Sequence, residues 1–244
     1  MPAAATDRDA LSRRLTGVLC LAMLVGFVWA LHQLTNGFEV WTFEGRRQQQ
    51  LQSGALQAPA VALRGVSGRA PTLWRNSNAA PAAYLVDFIY TRCPSVCRAL
   101  GSEYQQMQRE LRARQASERP AQRPANRPAN RPANRGIDNV QLVSISFDVE
   151  HDSPRQLALL ASSLRADPAW WTFAVPATQG DAQSLLQGLG VVAVPDGQGG
   201  FVHNGAIHLL DERGRLRGLF ELGQWPQALA AAQQLATMPR AAMQ

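Results

Sequence analysis

Cys93 and Cys97 are the residues of this chain whose type and spacing are best suited to chemistry. They lie in Asp87-Phe88-Ile89-Tyr90-Thr91-Arg92-Cys93-Pro94-Ser95-Val96-Cys97-Arg98-Ala99-Leu100. An apolar, strand-forming run from Tyr84 to Tyr90 stops at a short polar break, and a helical pattern follows. Pro94 suits the first turn of that helix. Side chains four apart on a helix share a face, with Cβ atoms roughly 5–6 Å apart, so both thiols can address one small target. A helix N-terminus also lowers the pKa of a nearby thiol and favours the thiolate. At about 1.5 Å rise per residue the two Cα atoms are roughly 6 Å apart, a separation a disulfide tolerates. One metal ion could equally bind both sulfurs, and the Cys-x-x-x-Cys spacing is one residue longer than the Cys-x-x-Cys of disulfide oxidoreductases. Redox and metal chemistry both remain open on the pair alone.

The four histidines carry the choice further. His32 ends an apolar run, His151 sits in the charged turn Glu150-His151-Asp152, and His208 falls inside a strand, where a hydrogen-bonded ring is the ordinary outcome. His203 follows a glycine-rich loop (Gly197, Gly199, Gly200) and precedes a hairpin, a position from which its ring can swing towards the cysteines. A lone histidine is more often structural than a ligand. Two thiolates and one imidazole would nevertheless make a soft, low-coordinate site suited to copper, above all Cu(I).

The elements around these residues predict an α/β domain. After the strand at 82–90 and a helix from Pro94 to about Gln115 come a strand over Val140–Asp148 and a helix from Ser153-Pro154 to about Arg165. A strand over Trp170–Val175 and a helix over Gln179–Leu189 follow. Strands at Ala206–Leu210 and Leu216–Leu222, joined by Asp211-Glu212-Arg213-Gly214, precede a last helix from Trp225-Pro226. Helices alternating with strands before a terminal hairpin indicate a mixed sheet with helices on both faces. A cysteine pair at the first strand-to-helix turn of such a sheet points to a thioredoxin-like fold. Ahead of it, Val61–Val66 and Pro71–Trp74 read as a β-hairpin.

Residues 15–34 carry no formal charge and are rich in Leu, Val, Ala and Met. About 20 such residues span a bilayer as a helix. Arg8, Arg13 and Arg14 precede the run and Glu39 and Glu44 follow it, which predicts residues 1–14 in the cytoplasm and the body outside. A cleavable signal peptide is the rival, but no convincing Ala-x-Ala site follows the run. Cys20 lies within it as a small apolar residue. The expected organisation is a linker over 35–58, then one domain over 59–240. Three cysteines are too few for a disulfide scaffold, so this domain depends on its own core.

A net charge of +6 would suggest nucleic acid, were it not for its location. Between Arg112 and Arg135 there are seven arginines and one acid, Glu118, a surplus equal to that of the whole chain. Much of that stretch is Arg-Pro-Ala-Gln followed by three copies of Arg-Pro-Ala-Asn. Prolines at every fourth position, with nothing larger than Ala to enter a core, predict a disordered insert over 119–135. The remainder of the chain is neutral, and no nucleic-acid partner is expected.

With the residues in hand, Phe88-Ile89-Tyr90-Thr91-Arg92-Cys93-Pro94-Ser95-Val96-Cys97 resembles the signature of the Sco/SenC family of copper-binding, thioredoxin-fold proteins. Ser144-Ile145-Ser146-Phe147-Asp148 with Asp152-Ser153-Pro154, and His203 followed by Ala206-Ile207-His208-Leu209-Leu210-Asp211-Glu212-Arg213-Gly214-Arg215, resemble that family's next strand, histidine and hairpin. Arg98 stands where the family usually has a second proline, and Asn204 where Ser or Thr is common.

The resemblance implies copper held by Cys93, Cys97 and His203, as Cu(I) with Cu(II) as a second state. It implies an anchored protein of the bacterial inner membrane, with its domain in the periplasm. There it would help assemble the dinuclear copper centre of cytochrome c oxidase, the partner being that enzyme's copper-accepting subunit. On this reading the protein carries metal and is not an enzyme with turnover. The enzyme alternative is a thiol-disulfide reductase that keeps cysteines of the oxidase subunit reduced, Cys93 attacking and Cys97 resolving. A fixed disulfide or a peroxiredoxin-like site fits the exposed turn and Pro94 less well.

Overall fold

The computed structural model describes residues 4–34, 49–51, 53–66, 73–74, 82–93, 96–121 and 139–238. Two compact units divide the chain, Met1–Gln50 and Leu51–Gln244. The first contains helix α1 (Ala4–Leu34), whose stretch Arg13–Leu34 is 22 residues long and unburied. At about 1.5 Å per residue it reaches about 33 Å, long and apolar enough to cross a hydrocarbon core of about 30 Å.

The second unit has a thioredoxin-like fold. Its strands are β1 (Leu63–Gly65), β2 (Ala83–Ile89), β3 (Val140–Ser146), β4 (Trp171–Pro176), β5 (Ala193–Pro195), β6 (Phe201–His203), β7 (Ile207–Asp211) and β8 (Leu216–Phe220). Its helices are α2 (Val96–Ala121), α3 (Pro154–Ser163), α4 (Gln179–Gly188) and α5 (Trp225–Thr237). Six strands form one mixed sheet in the order β1-β4-β3-β2-β7-β8, while β5 and β6 make a separate two-stranded ribbon. Strands β2, β3 and β4 run parallel; β7 is antiparallel to β2, and β8 to β7.

Every residue of β2 is buried, as a central strand covered on both faces requires. Its alternation sorts the two cores. Leu85 and Ile89 join Leu100, Tyr104, Met107 and Leu111 of α2, whose spacing of three and four lays one apolar stripe on the sheet. Tyr84, Val86, Phe88 and Tyr90 face the other way, onto Leu185 and Leu189 at the α4 side. By the same alternation Asp87 shares the face of Leu85 and Ile89, a carboxylate in an apolar layer.

Three local expectations differ from the structure. Residues 61–66 are paired outside the predicted hairpin: β1 pairs antiparallel with β4, its backbone taking the free edge of that strand; Leu73 and Trp74 are not in a strand, and the rest of the predicted hairpin, 67–72, lies outside the described residues. Helix α2 runs past Gln115 to Ala121, with Pro120 confined to its final turn; of the predicted insert, 122–135 lies outside the described residues. Finally, the glycine-rich loop before His203 is the turn of a short ribbon, β5–β6. Most of the linker at 35–58 also lies outside the described residues. Two arginines of the basic stretch are engaged locally, Arg112 with Asp167 and Arg114 with Glu110 and Gln233.

Candidate metal centre

The buried strand β2 delivers the cysteines. Past Ile89 the chain turns, and the Cys93 N–H donates to the Tyr90 carbonyl at 3.1 Å. Cys97 lies in the first turn of α2, and its N–H donates to the Cys93 sulfur at 3.3 Å. Pro94 and Ser95 lie outside the described residues. Both thiols are free.

The turn is held from β3 and the loop after it. The buried Asp152 carboxylate accepts from the Thr91 N–H at 2.8 Å, from the Thr91 hydroxyl, and from the Ser146 hydroxyl at 2.6 Å. Asp148 pairs with Arg92 at 2.9 Å and with His151 Nδ1 at 2.8 Å. Burial alone would raise the Asp148 carboxyl; the hydrogen bonds from His151 and Arg92 outweigh it and hold the group below its ordinary value. Two acids near each other in sequence thus anchor successive residues, Thr91 and Arg92, immediately before Cys93.

Asp152 is the tighter anchor, because its buried carboxylate accepts from three donors, the Thr91 N–H and hydroxyl and the buried Ser146 hydroxyl. Asp152→Ala should lower unfolding free energy by about 2–4 kcal/mol, the cost of stranding such groups. Urea denaturation with an unchanged m-value is the check; a midpoint within error of wild type would show that the turn holds itself.

His203 arrives from the opposite side on β6, paired with Ala193 of β5. Its Nε2 lies 3.9 Å from the Cys97 sulfur, and the ligand atoms of Cys93, Cys97 and His203 all fall within 4.8 Å of one another. Bonds of about 2.0–2.3 Å to sulfur and nitrogen give donors about 4 Å apart around a three-coordinate ion, so this cluster suits one soft cation with little movement. Burial lowers the His203 pKa, which keeps the imidazole neutral and able to donate an electron pair. Its Nδ1 is buried without a hydrogen-bond partner among the described residues. Burial pushes the Cys97 thiol well above its ordinary value, and its hydrogen bond with Cys93 adds to that. Desolvation here outweighs the helix terminus that was expected to favour the thiolate, so a proton stays on Cys97 until a cation displaces it.

The other histidines are placed elsewhere. His208 is buried in β7 with Nδ1 3.1 Å from the Ala206 carbonyl and its ring edge-on to Phe88, the structural role expected of it. His151 is bonded to Asp148 at the surface, and His32 belongs to the first unit. Sequence reasoning missed what supports the site: Asp148 and Asp152 as anchors, the aromatic wall of Tyr90, Phe147 and Phe201 beside His203, and Asn204. The Asn204 side chain accepts from the Val192 N–H at 2.7 Å and donates to the Gly190 carbonyl at 3.3 Å. It ties the root of the ribbon to the end of α4, and only its amide, donor and acceptor together, could have hinted at it.

No family model matches the chain. In sequence it is 24% identical over 135 residues to the SCO1 protein homolog of Bacillus subtilis (strain 168), a match covering 54% of this chain and 58% of that relative, less than two thirds of its length. In fold it is similar to the copper-bound ScoI of Bradyrhizobium japonicum, with a TM-score of 0.52 at 22% identity over 73% of this chain and 99% of that one. It is likewise similar to BsSco, a member of the Sco family of cytochrome c oxidase assembly proteins in which a disulfide switch was identified. There the TM-score is 0.57 at 16% identity, over 76% of this chain and 96% of that one. This chain is thus similar in sequence to a SCO1 protein homolog and in fold to proteins of the Sco family.

Proposed function

We propose that this chain is a membrane-anchored copper carrier that takes the ion as cargo on Cys93, Cys97 and His203 and passes it to the copper-accepting subunit of cytochrome c oxidase. One observation carries the reading: two free thiols and a neutral imidazole converge within 4.8 Å, from elements more than 100 residues apart. Soft sulfur donors with a single nitrogen favour Cu(I) over harder divalent ions. The copper-bound ScoI and the oxidase-assembly protein BsSco, both of similar fold, support the cargo and the destination. The uncharged run 15–34 of helix α1, with Arg8, Arg13 and Arg14 ahead of it and Glu39 and Glu44 after it, supports an anchor with the domain in the periplasm.

Half-burial of the three residues fits a carrier. An incoming thiolate or imidazole of the acceptor can bind before the last donor here lets go, so the ion moves by ligand exchange without passing through water. His203→Ala in the purified full-length chain tests the assignment. If three donors share roughly 10–16 kcal/mol of binding, as structural zinc sites suggest, loss of one imidazole weakens Cu(I) binding about 100-fold or more. Chelator competition under reducing conditions reads this. Equal affinities in wild type and His203→Ala would remove histidine from the site.

A thiol-disulfide role is favoured by one feature, two free thiols side by side at the start of α2, with the N–H of Cys97 directed at the Cys93 sulfur. The same variant separates the two: reductase activity towards a partner disulfide survives the loss of His203, whereas copper carriage does not.

A further inference from the structure

We propose that Tyr90 is a positioning residue whose hydroxyl fixes the separation between the cysteine turn and the histidine ribbon. This rests on the copper-site reading above and extends it to a residue that is not itself a ligand. Tyr90, which is not one of the three cluster residues, bonds to both the cysteine turn and the histidine ribbon. Its carbonyl accepts from the Cys93 N–H at 3.1 Å, closing the turn that presents the first thiol. Its hydroxyl, 111 residues away in sequence, accepts from the Phe201 N–H at 3.2 Å and donates to the Phe201 carbonyl at 3.3 Å. Phe201 is two residues before His203 on the same strand.

A two-stranded ribbon of three-residue strands is marginal by itself, so its place depends on what it is fastened to. At its root Asn204 bonds to Gly190 and Val192. Towards its tip the polar fastening is the Tyr90 hydroxyl, supported by ring contacts of Tyr90 with Phe201 (5.3 Å) and of Phe147 with Phe201 (5.2 Å). Gly200 permits this approach: a Cβ there would lie 3.2 Å from the Tyr90 oxygen and 2.5 Å from the Asp196 carboxylate. The ribbon tip is shaped to receive the phenol oxygen, while its ring lies edge-on to His203 with centroids 6.2 Å apart. Without the hydroxyl the ribbon can pivot about Asn204, and the His203 ring leaves the position 3.9 Å from the Cys97 sulfur.

Tyr90→Phe keeps the ring and its packing and removes only the oxygen. Full-length wild type, Tyr90→Phe, His203→Ala and the double variant are titrated with Cu(I) against a competing chelator, and amide exchange at Phe201 is followed in the metal-free protein. Tyr90→Phe should weaken Cu(I) binding about 10-fold, the lower end of outer-shell effects, accelerate Phe201 exchange, and have no further effect once His203 is absent. A Tyr90→Phe loss of equal size with and without His203, or no loss beside unchanged Phe201 exchange, overturns the proposal while leaving the three-ligand site standing. Wild type that binds no Cu(I), or His203→Ala that binds like wild type, overturns both.

Discussion

Cys97→Ser should abolish tight copper binding and leave the fold intact. The residue packs at the edge of both cores, so exchanging sulfur for oxygen changes little volume, and the helix N–H that donates to Cys93 is a backbone group untouched by the change. Chemically the loss is large. A hydroxyl is a hard donor that stays protonated, so the site retains one thiolate and one imidazole, and a soft ion loses one of its two preferred partners. Sharing the binding energy of a structural site among three donors assigns each about 3–5 kcal/mol, or ~10²–10⁴-fold in affinity. Chelator competition with the reduced full-length chain measures it, beside a thermal unfolding curve expected to match wild type. Retained affinity in Cys97→Ser would mean that copper, if bound, is held elsewhere.

The second large effect concerns stability. Asp87 is 1% exposed in the middle of β2. Its Oδ1 has no hydrogen-bond partner among the described residues, and burial raises its pKa from 3.8 to about 7. A carboxyl whose folded-state pKa exceeds its unfolded value binds its proton more tightly in the native state. Stability therefore falls as pH rises from about 4 to about 7 and stays reduced above that. Asp87→Asn replaces the charge with a neutral group of the same shape. It should stabilise the protein by about 2–4 kcal/mol at pH 8, within the bound set by a shift of that size, and by close to nothing at pH 4. Urea denaturation at the two pH values is the check, and parallel pH profiles for wild type and variant would contradict it. Such a cost tolerated in the central strand belongs with the site, because Asp87 borders the cavity of about 530 Å³ that also exposes Cys93 and Cys97, and its charge is among the influences that keep the Cys97 proton in place.

How far the sequence carried depends on whether a feature was local. The cysteine turn was legible because a buried strand, a polar break and a helical stripe lie next to one another: Tyr84 to Tyr90, then Leu100, Tyr104, Met107 and Leu111. The alternation of strands and helices gave the layered fold for the same reason. Pairing across the sheet was not legible. Leu63–Gly65 looked like half of a hairpin because its neighbours in sequence are strand formers, yet its partner is β4, more than 100 residues away.

The ribbon that carries His203 was hidden by its turn. Gly197, Gly199 and Gly200 read as a loose loop, whereas Asp196 binds the backbone N–H groups of Gln198 and Gly200 and makes the turn compact. The supporting acids were hidden by distance: nothing in Asp148 or Asp152 announces Arg92 or Thr91 as partners about 60 residues earlier. Cys93, Cys97 and His203, read from the sequence as a set, do lie close together, but the protonation expected of the pair differs. The helix terminus suggested a ready thiolate at the pair, and burial instead keeps Cys97 protonated, which makes cation binding and proton release one event.

The most direct test of a copper site built from Cys93, Cys97 and His203 is X-ray absorption on the reduced full-length chain loaded with one equivalent of Cu(I). Two sulfur scatterers and one nitrogen are expected, with the nitrogen lost in His203→Ala and one sulfur lost in Cys97→Ser. A copper environment that does not change in either variant, or a reduced chain that takes up no copper, would contradict it.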